Sequence, residues 1–440
     1  MTLQSGSTRA KDNPLIPLQD SIICRAFSDT QTVLNYALHY LKQGGTVFIW
    51  KSPEQRVAET RDSSDSAVHI GEVSFDRSCA GEYHIEFNGV CHSGCVMAYH
   101  GRVLTEKTLN LSYQHSKFGG VVPEIAGRGH LAAFKELLTN ILQSPVFSPK
   151  QLQAIAVTRS PGLIGSLLVG VTYAKTLAWV YEKPLIAVDH IEGHLFSGFI
   201  GQPAPRFPFS ALVISGGHTL LVNVEGVNQY TVFGRTTDDS VGEAFDKTAK
   251  ILGFVYPGGP VIDRLAVLAC ERGIPPVKFP VPLRGRDTFD FSFSGLKTAV
   301  LYHAKDAGLY HPERELITVE DFLAQSDTDI LNRTLSVARG FQETIAVIFE
   351  ERITQTIRAS RVKEFHICGG VAANSAVRKL TAQLAERLGV NFRCPEMKYC
   401  GDNAAMIGYI ARLYMQKGFM LTETPDILNA EPSAAGRFSI

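Results

Sequence analysis

His190 and His194 stand four residues apart in the stretch Asp189-His190-Ile191-Glu192-Gly193-His194. On an α-helix that spacing puts both imidazoles on one face, about one turn apart, within reach of a single metal ion. Two unrelated surface or capping histidines produce the same spacing, so the pair alone does not decide between them. A zinc-protease reading fails, because it needs Glu directly after the first histidine. Glu192 lies one place later, on a different side of the helix. Asp402, in YCGDNAAMIGY, is placed at a helix N-terminus, where an Asp is ordinarily an N-cap. Its other reading is a third ligand: two neutral imidazoles and one carboxylate leave open coordination positions.

A second group of residues suits phosphate. In FSALVISGGHTLLVNV a strand breaks at Ser215-Gly216-Gly217 and resumes, which predicts a hairpin whose glycine tip admits close backbone approach. In FHICGGVAANSAVRKL a strand meets a Gly369-Gly370 turn and then a helix with Asn374 near its start, a second cradle for phosphate or adenosine. Asp246 is expected on a helix and Gly258-Gly259 in the turn before the helix carrying Asp263. Each of the two carboxylates reads as a solvated helix residue or as a partner for a ribose or hydroxyl. The helix that opens within SPGLIGSLLVG offers free N–H groups to an anion, or uses Gly165, Ser166 and Gly170 for close packing on a sheet. Arg284, Arg286 and Lys297 alternate with Phe289, Phe291 and Phe293, which suits a nucleic-acid surface or a half-buried strand.

The elements that position these residues alternate between strand and helix. With 45% hydrophobic residues and 38 glycines, the 440-residue chain reads as α/β with two to three domains. Lys plus Arg and Asp plus Glu are both 43, so no global field demands a nucleic acid or a membrane. The polar N-terminus has no apolar h-region and no apolar run reaches spanning length. The eight cysteines are scattered apart from Cys91 and Cys95, which points to reduced thiols and a cytoplasmic location. Residues 1 to about 14 are expected to be disordered. SIICRAF is expected as a strand, TQTVLNYALHYLK as a helix stopped by Gly44-Gly45, and TVFIWK as the next strand. EQRVAETRDS is expected as a further helix, and VHIGEVSF with EYHIEF as a closing hairpin; CVMAYHGRVL follows as two strands around a two-residue turn. Long helices are expected over the end of GGVVPEIAGRGHLAAFKELLTNIL and over LNRTLSVARGFQETIAVIFEERITQTIRAS.

HIEGH, ALVISGGHT, DDSVGEAFDKTAKILGFVYPGGP, DFSFSGLKTA, CGGVAANSAVR and GDNAAMIGY, in this order, resemble the bacterial TsaD family, the threonylcarbamoyltransferase that modifies tRNA. With GGVVPEIAGRGH the resemblance spans roughly residues 84–418. It implies an actin-like (ASKHA) two-lobed α/β fold with lobe I at 84–205, lobe II at 206–404, and a C-terminal helix and tail, 405–440, returning to lobe I. It implies a catalytic divalent metal on His190, His194 and Asp402, Fe(2+) by family habit with Zn(2+) as the alternative. Val213, Ile214, Ser215, Gly216, Gly217, Asp246, Gly259, Asp263 and Asn374 would hold threonylcarbamoyl-adenylate. The reaction implied is transfer of the threonylcarbamoyl group to the N6 amine of the adenosine 3′ of the anticodon, releasing AMP. Its implied partners are tRNA and TsaB- and TsaE-like proteins, with no membrane.

Two stretches depart from that family. EFNGVCHSGCVMAYHG carries Gly89, Cys91, His92 and Ser93 where the family has an acidic Ser-Cys-Asp-Glu-Thr loop, and the tail lacks an Arg-Pro-Arg-Trp-like ending. The first departure leaves a second reading open, a catalytically impaired scaffold or nucleotide-binding protein of the same fold. Cys91, His92 and Cys95 are ordinary loop thiols and an imidazole, or part of a metal site that lacks a fourth ligand. SIICRAFSDTQTVLNYALHYLKQGGTVFIWKSP resembles the C-terminal half of a class I methyltransferase, of the family that methylates a guanine in small-subunit ribosomal RNA. No glycine-rich loop accompanies it, so residues 1–83 are expected to be a truncated methyltransferase-like appendage without methyl transfer.

Overall fold

Two five-stranded sheets in this chain are built to one plan. The computed structural model describes residues 19–25, 41–50, 83–88, 92–98, 101–109, 123–144, 149–313, 315–325 and 327–438. They divide into a unit of residues 1–74 with 424–429 and a unit of residues 75–423 with 430–440.

The first unit contains β1 (Gln19–Arg25) and β2 (Leu41–Trp50), paired in parallel, and a short helix, Thr424–Asn429. Gly44 and Gly45 were expected to stop a helix but lie inside β2. That strand takes in the Leu and Lys assigned to the end of the helix, and its register on β1 jumps from Leu41 to Thr46, so the two glycines lie in an irregularity of the ladder. The disordered stretch at 1–14, most of the expected helix before Gly44, the helix at EQRVAETRDS and the strand at VHIGEVSF lie outside the described residues.

In the second unit β3 (Tyr83–Asn88), β4 (His92–Ala98) and β5 (Val103–Leu109) form an antiparallel meander. EYHIEF is therefore not the close of an N-terminal hairpin. As β3 it is the middle strand of the first sheet, flanked by β4 and, in parallel, by β6 (Leu152–Ser160). The turn at Gly101 is longer than the two residues expected, since β4 ends at Ala98 and β5 begins at Val103. Helix α1 (Pro123–Leu142) precedes β6, and α2 (Ile164–Val180) leads from it to β7 (Leu185–Asp189), so the sheet order is β5-β4-β3-β6-β7. Gly127 of α1 lies against Gly165 of α2, a Cβ there reaching the Gly165 backbone at 3.6 Å. Helix α3 (His190–Phe196) follows β7 directly.

The second sheet repeats the order and strand senses of the first. An antiparallel meander of β8 (Phe209–Ile214), β9 (Thr219–Gly226) and β10 (Gln229–Arg235) is extended in parallel from β8 by β11 and β12. Between β10 and β11 (Glu364–Cys368) the chain forms α4 (Val241–Ile251), α5 (Gly258–Glu271), α6 (Ser294–Asp306), α7 (Val319–Gln325) and α8 (Thr328–Ser360). Helix α9 (Ser375–Leu388) joins β11 to β12 (Asn391–Arg393). The run FSALVI carries no polar alternation because β8 is buried on both faces. Leu212 and Ile214 join a core with α4, α5, α6 and α8, while Ala211 and Val213 join a core with β6, β7 and α3. Into that second core comes α10 (Ala404–Gln416), which lies over all five strands of the first sheet. No helix among the described residues is long and apolar enough to cross a membrane.

One polar group is built into the second sheet. Glu364 of β11 accepts from His366 Nε2 at 2.6 Å and from Arg393 Nε at 2.9 Å. These hydrogen bonds, His366 first, hold its carboxyl down at about 2. A carboxyl lowered in the folded state contributes stability that is complete above its unfolded value, 4.5, and is lost as pH falls through the folded value. Glu364→Gln should therefore show a deficit in urea unfolding at neutral pH that shrinks as pH falls from 4.5 towards 2. A deficit independent of pH would contradict this assignment.

Candidate active site

Strand β7 ends at Asp189, whose carboxylate turns the chain into α3: Oδ1 accepts from the Ile191 N–H at 2.9 Å, an N-cap. All seven residues of α3 are buried. The i, i+4 relation places the His190 and His194 rings edge to face with centroids 4.7 Å apart. Between them Gly193 presents no side chain, and α10 closes on it: a Cβ would stand 2.9 Å from Ile407 Cδ1 and 3.2 Å from Met406 Cγ. Asp402 was expected as the N-cap of that helix or as a ligand, and the structure separates the two roles. Asn403 is the cap, its side chain accepting from the Met406 N–H at 2.8 Å. Asp402, one residue earlier, is left to extend Oδ1 to 3.1 Å from both His190 Nε2 and His194 Nε2.

The three candidate ligand atoms lie within 4.8 Å of one another. Burial opposes the charge of Asp402, but the two imidazoles hold its carboxyl well below the usual range. Burial also opposes a charged His190, yet Asp402 beside it raises that imidazole; for His194 burial wins and its imidazole is lowered. Two buried imidazoles and one carboxylate, converging through Nε2, Nε2 and Oδ1, fit a divalent cation with open positions on the exposed side. A third of the Asp402 side chain faces solvent there. Both Nδ1 atoms are buried and have no partner among the described residues, so no protein acceptor fixes the rings from behind. Glu192 points elsewhere: it accepts from the Tyr414 hydroxyl and, at 2.8 Å, from Arg437 Nη1. Burial pushes its carboxyl up to about 7.

The glycine turns gather at the ends of β8 and β11, where ligands of α/β sheets bind. Val213 and Ile214 bury their side chains in the two cores, so only their backbone faces the loop. Ser215 N–H donates to the His218 carbonyl at 2.9 Å, closing the tip, and a Cβ on Gly216 or Gly217 would meet only open space. The start of α4 packs on this tip: the Ser240 hydroxyl donates to the Gly216 carbonyl at 2.6 Å, and a Cβ on Gly242 would stand 2.5 Å from the Ser215 carbonyl oxygen. Gly369, at φ 92°, passes so close to β8 that a Cβ would lie 2.4 Å from the Ile214 oxygen.

The acidic residues are engaged with protein. Asp246 Oδ1 accepts from the Gly258 N–H at 2.7 Å, capping α5, and burial pushes its carboxyl up. Gly259 beside it is open. Asp263 accepts from the Ser375 hydroxyl at 2.9 Å and from Gln342 Nε2 at 3.2 Å, while Asn374 Nδ2 donates to Gln342 Oε1 at 2.8 Å. Asp263 and Asn374 are thereby joined through Gln342, which carries no sequence signal because it lies inside α8 without a motif. His218 was also missed. It lies within electrostatic reach of His190, His194 and Asp402, and burial pushes its imidazole down to about 4.

The alternation of aromatic and basic residues near 290 is neither a strand nor a stacking surface. Phe291 and Phe293 are fully buried, Phe291 making only an isolated bridge to Thr236, and Lys297 pairs with Asp239 at 2.7 Å. The loop containing Gly89 and Cys91 lies outside the described residues, as do the side chains of His92, Ser93 and Cys95. The four described cysteines, Cys270, Cys368, Cys394 and Cys400, are free.

Residues 102–409 match the TsaD family, described as tRNA N6-adenosine threonylcarbamoyltransferase. A curated protein of that name from Trichlorobacter lovleyi is 44% identical over 305 residues, 69% of this chain and 82% of its own length. One from a Geobacter species is 42% identical over 315 residues, 71% of this chain and 85% of its own. Among solved structures, HypF from T. kodakarensis is 14% identical with a TM-score of 0.47, covering 77% of this chain and 48% of that one.

Two outcomes follow from the packing and charge of the site. Gly193→Val should push α10 off α3, costing about 1–3 kcal/mol of stability and lowering the metal retained per chain after dialysis; parent-like retention would sink the packing argument. A cation must also displace the proton that Asp402 favours on His190. Below the raised His190 value, affinity should therefore fall by up to about tenfold per pH unit, read by chelator competition between pH 8 and 6. A flat profile would contradict it.

Proposed function

This chain belongs to the TsaD family of tRNA N6-adenosine threonylcarbamoyltransferases, and from that premise we propose how its residues carry out the transfer. The protein is an acyltransferase: it moves the threonylcarbamoyl group from threonylcarbamoyl-adenylate to the N6 amine of the adenosine 3′ of the tRNA anticodon, releasing AMP. The observation that carries the residue assignment is the convergence of His190 and His194 with Asp402, from segments more than two hundred residues apart, on one partly open point.

His190, His194 and Asp402 would hold a divalent metal, iron as the first choice and zinc as the second. Bound there, the metal supplies Lewis acidity and a template for the acyl donor. The chain's own residues do the rest. The open tip at Gly216 and Gly217, closed behind by the Ser215 N–H, and the turn at Gly259 receive the phosphate without Cβ interference. Asp246 keeps that second turn in place by capping α5, and Asp263 with Asn374, joined by Gln342, lines the adenosine side. The N6 nitrogen bonds to the carbamoyl carbon and gives up one of its protons to solvent, the bond from that carbon to the phosphate oxygen breaks, and AMP departs carrying the negative charge that the glycine-turn amides face. Holding the two reactants together supplies much of the rate.

The duplicated sheet order supports an actin-like, two-lobed fold, with lobe I at 84–205, lobe II at 206–404, and residues 405–440 returning to the first through α10. tRNA and threonylcarbamoyl-adenylate are the substrates, and a cytoplasmic location follows from the tRNA. For a TsaB-like partner the exposed Leu131 of α1, Leu163 just ahead of α2, and Ile164 and Leu168 of α2 offer an apolar face; a TsaE-like protein completes the proposed set. Residues 1–83 remain an appendage. Its methyltransferase-like reading rests on sequence alone, since the family match begins at residue 102 and a parallel strand pair is common to many α/β folds.

The test is to incubate the full chain with tRNA, threonylcarbamoyl-adenylate and the partner proteins, then search the digested tRNA for the modified nucleoside by mass spectrometry. Product is expected from the parent chain. His190→Ala should lose both bound metal and product, and retained product would remove the metal assignment.

A further inference from the structure

The C-terminal tail, which departs from the family ending, is not a loose end in the structure. Its backbone is pinned to β6, where the Ser433 N–H donates to the Arg159 carbonyl at 3.0 Å and Arg159 Nε donates to the Glu431 carbonyl at 2.8 Å. Glu431 also faces the buried Lys175 of α2 at 3.5 Å. At its far end the Phe438 carbonyl accepts from Arg235 Nη1 of β10 at 3.2 Å, and the Phe438 ring, buried, meets Tyr230 with centroids 5.4 Å apart. Between these anchors the tail crosses α3. The Arg437 N–H donates to Asp189 Oδ2 at 2.9 Å, and Arg437 Nη1 donates to Glu192 Oε1 at 2.8 Å. Gly436 fits against the same carboxylate so closely that a Cβ would stand 2.6 Å from Asp189 Oδ2 and 2.6 Å from Pro161 Cδ.

These contacts fall on the two handles of a helix too short to hold itself. Seven residues are below the length at which a helix is stable alone, so the direction of α3 is set by its surroundings. Asp189 is its N-cap and Glu192 lies between the two histidines, and the tail holds both. Arg437 is the one cation at ion-pair distance from Glu192 among the described residues. Without it, the fully buried Glu192 carboxyl would keep hydroxyl partners only, and the side-chain contact that ties this face of α3 to the tail would be gone.

We propose that the segment Glu431–Phe438 is a strap that seats the metal-binding helix, with Arg437 as a positioning residue for His190 and His194 acting through Glu192 and Asp189. The inference rests on the reading of those histidines as metal ligands. It adds a role for a tail none of whose residues is among the proposed ligands or substrate-binding residues. Partners hydrogen-bonded directly to ligand rings contribute roughly 10- to 100-fold in affinity; Arg437 instead holds the helix that carries both rings, and that range sets the upper scale of its effect.

The test uses the full chain, stripped of metal and titrated with Zn(2+) against a chromogenic chelator. Arg437→Gln should weaken Zn(2+) binding by about 10- to 100-fold while the far-ultraviolet circular dichroism stays as in the parent, and Arg437→Lys should recover most of the loss. Gly436→Ala, which lifts the strap without changing charge, should weaken binding in the same direction, and it carries the test should Arg437→Gln not fold. Glu192→Gln combined with Arg437→Gln should be no worse than Arg437→Gln alone, because the contact between the two side chains is already lost in the single variant. Affinities within threefold of the parent, or fully additive losses in the double variant, would overturn the proposal. A parent chain that takes up no Zn(2+) would instead count against the metal assignment. The strap would then be judged by amide hydrogen exchange of residues 190–196 in metal-free protein: faster exchange in Arg437→Gln supports it, unchanged exchange refutes it.

Discussion

The close approach of α10 to α3 at Gly193 is the constraint on which the site depends. Two histidines on one helix face are an incomplete donor set, and the third donor must come from elsewhere in the chain. It comes from the residue just ahead of α10, and it reaches the imidazoles because Gly193 lets Ile407 and Met406 pack where a side chain would otherwise stand. Asn403 matters as much in a different way. By taking the cap itself it leaves the Asp402 carboxylate without a structural obligation, free to lie 3.1 Å from each Nε2. The cost of collecting buried imidazoles around a carboxylate is met by mutual attraction: Asp402 is held ionised, and His190 is raised.

The sheets supply the other half of the arrangement. Because β8 is buried on both faces, its end is fixed by two cores at once, and the glycine tip that follows it is carried on a rigid base. Gly242 and Gly369 then allow α4 and the β11 turn to press against that base without steric conflict. The amides at Gly216 and Gly217 stay open while everything behind them is packed. This is the preorganisation that electrostatic stabilisation of a leaving phosphate requires. His218 closes the tip and lies within electrostatic reach of His190, His194 and Asp402.

Much of this was legible in residue order. The pair at His190 and His194, the glycine turns at 215–217, 258–259 and 369–370, and the α/β alternation are local patterns. A helix or turn of known geometry converts such patterns into positions. Where local signals failed, a longer-range interaction had won. Gly44 and Gly45 lie in an irregularity of β2 whose flanking residues, Leu41 and Thr46, pair with β1, and EYHIEF is the middle strand of a sheet because β6, some seventy residues on, pairs beside it. The alternation at Phe289, Phe291 and Phe293 looked like a strand or a binding face, but the core between the second sheet and its helices takes two of those rings. No pattern in sequence separates an aromatic that stacks on a base from one that fills a cavity.

Sequence by itself determined which side chains could bind a cation and which turns could admit a phosphate, since donor type and backbone freedom belong to the residues. Tertiary structure alone decided which of them meet. Asp402 rather than Asn403 faces the imidazoles, and Gln342 rather than any motif residue joins Asp263 to Asn374. Arg437, in a tail with no recognisable signature, came to hold the back of the histidine helix. The reason is physical. Contacts between segments hundreds of residues apart depend on how helices and sheets pack, and packing is a property of the assembled volume rather than of spacing along the chain.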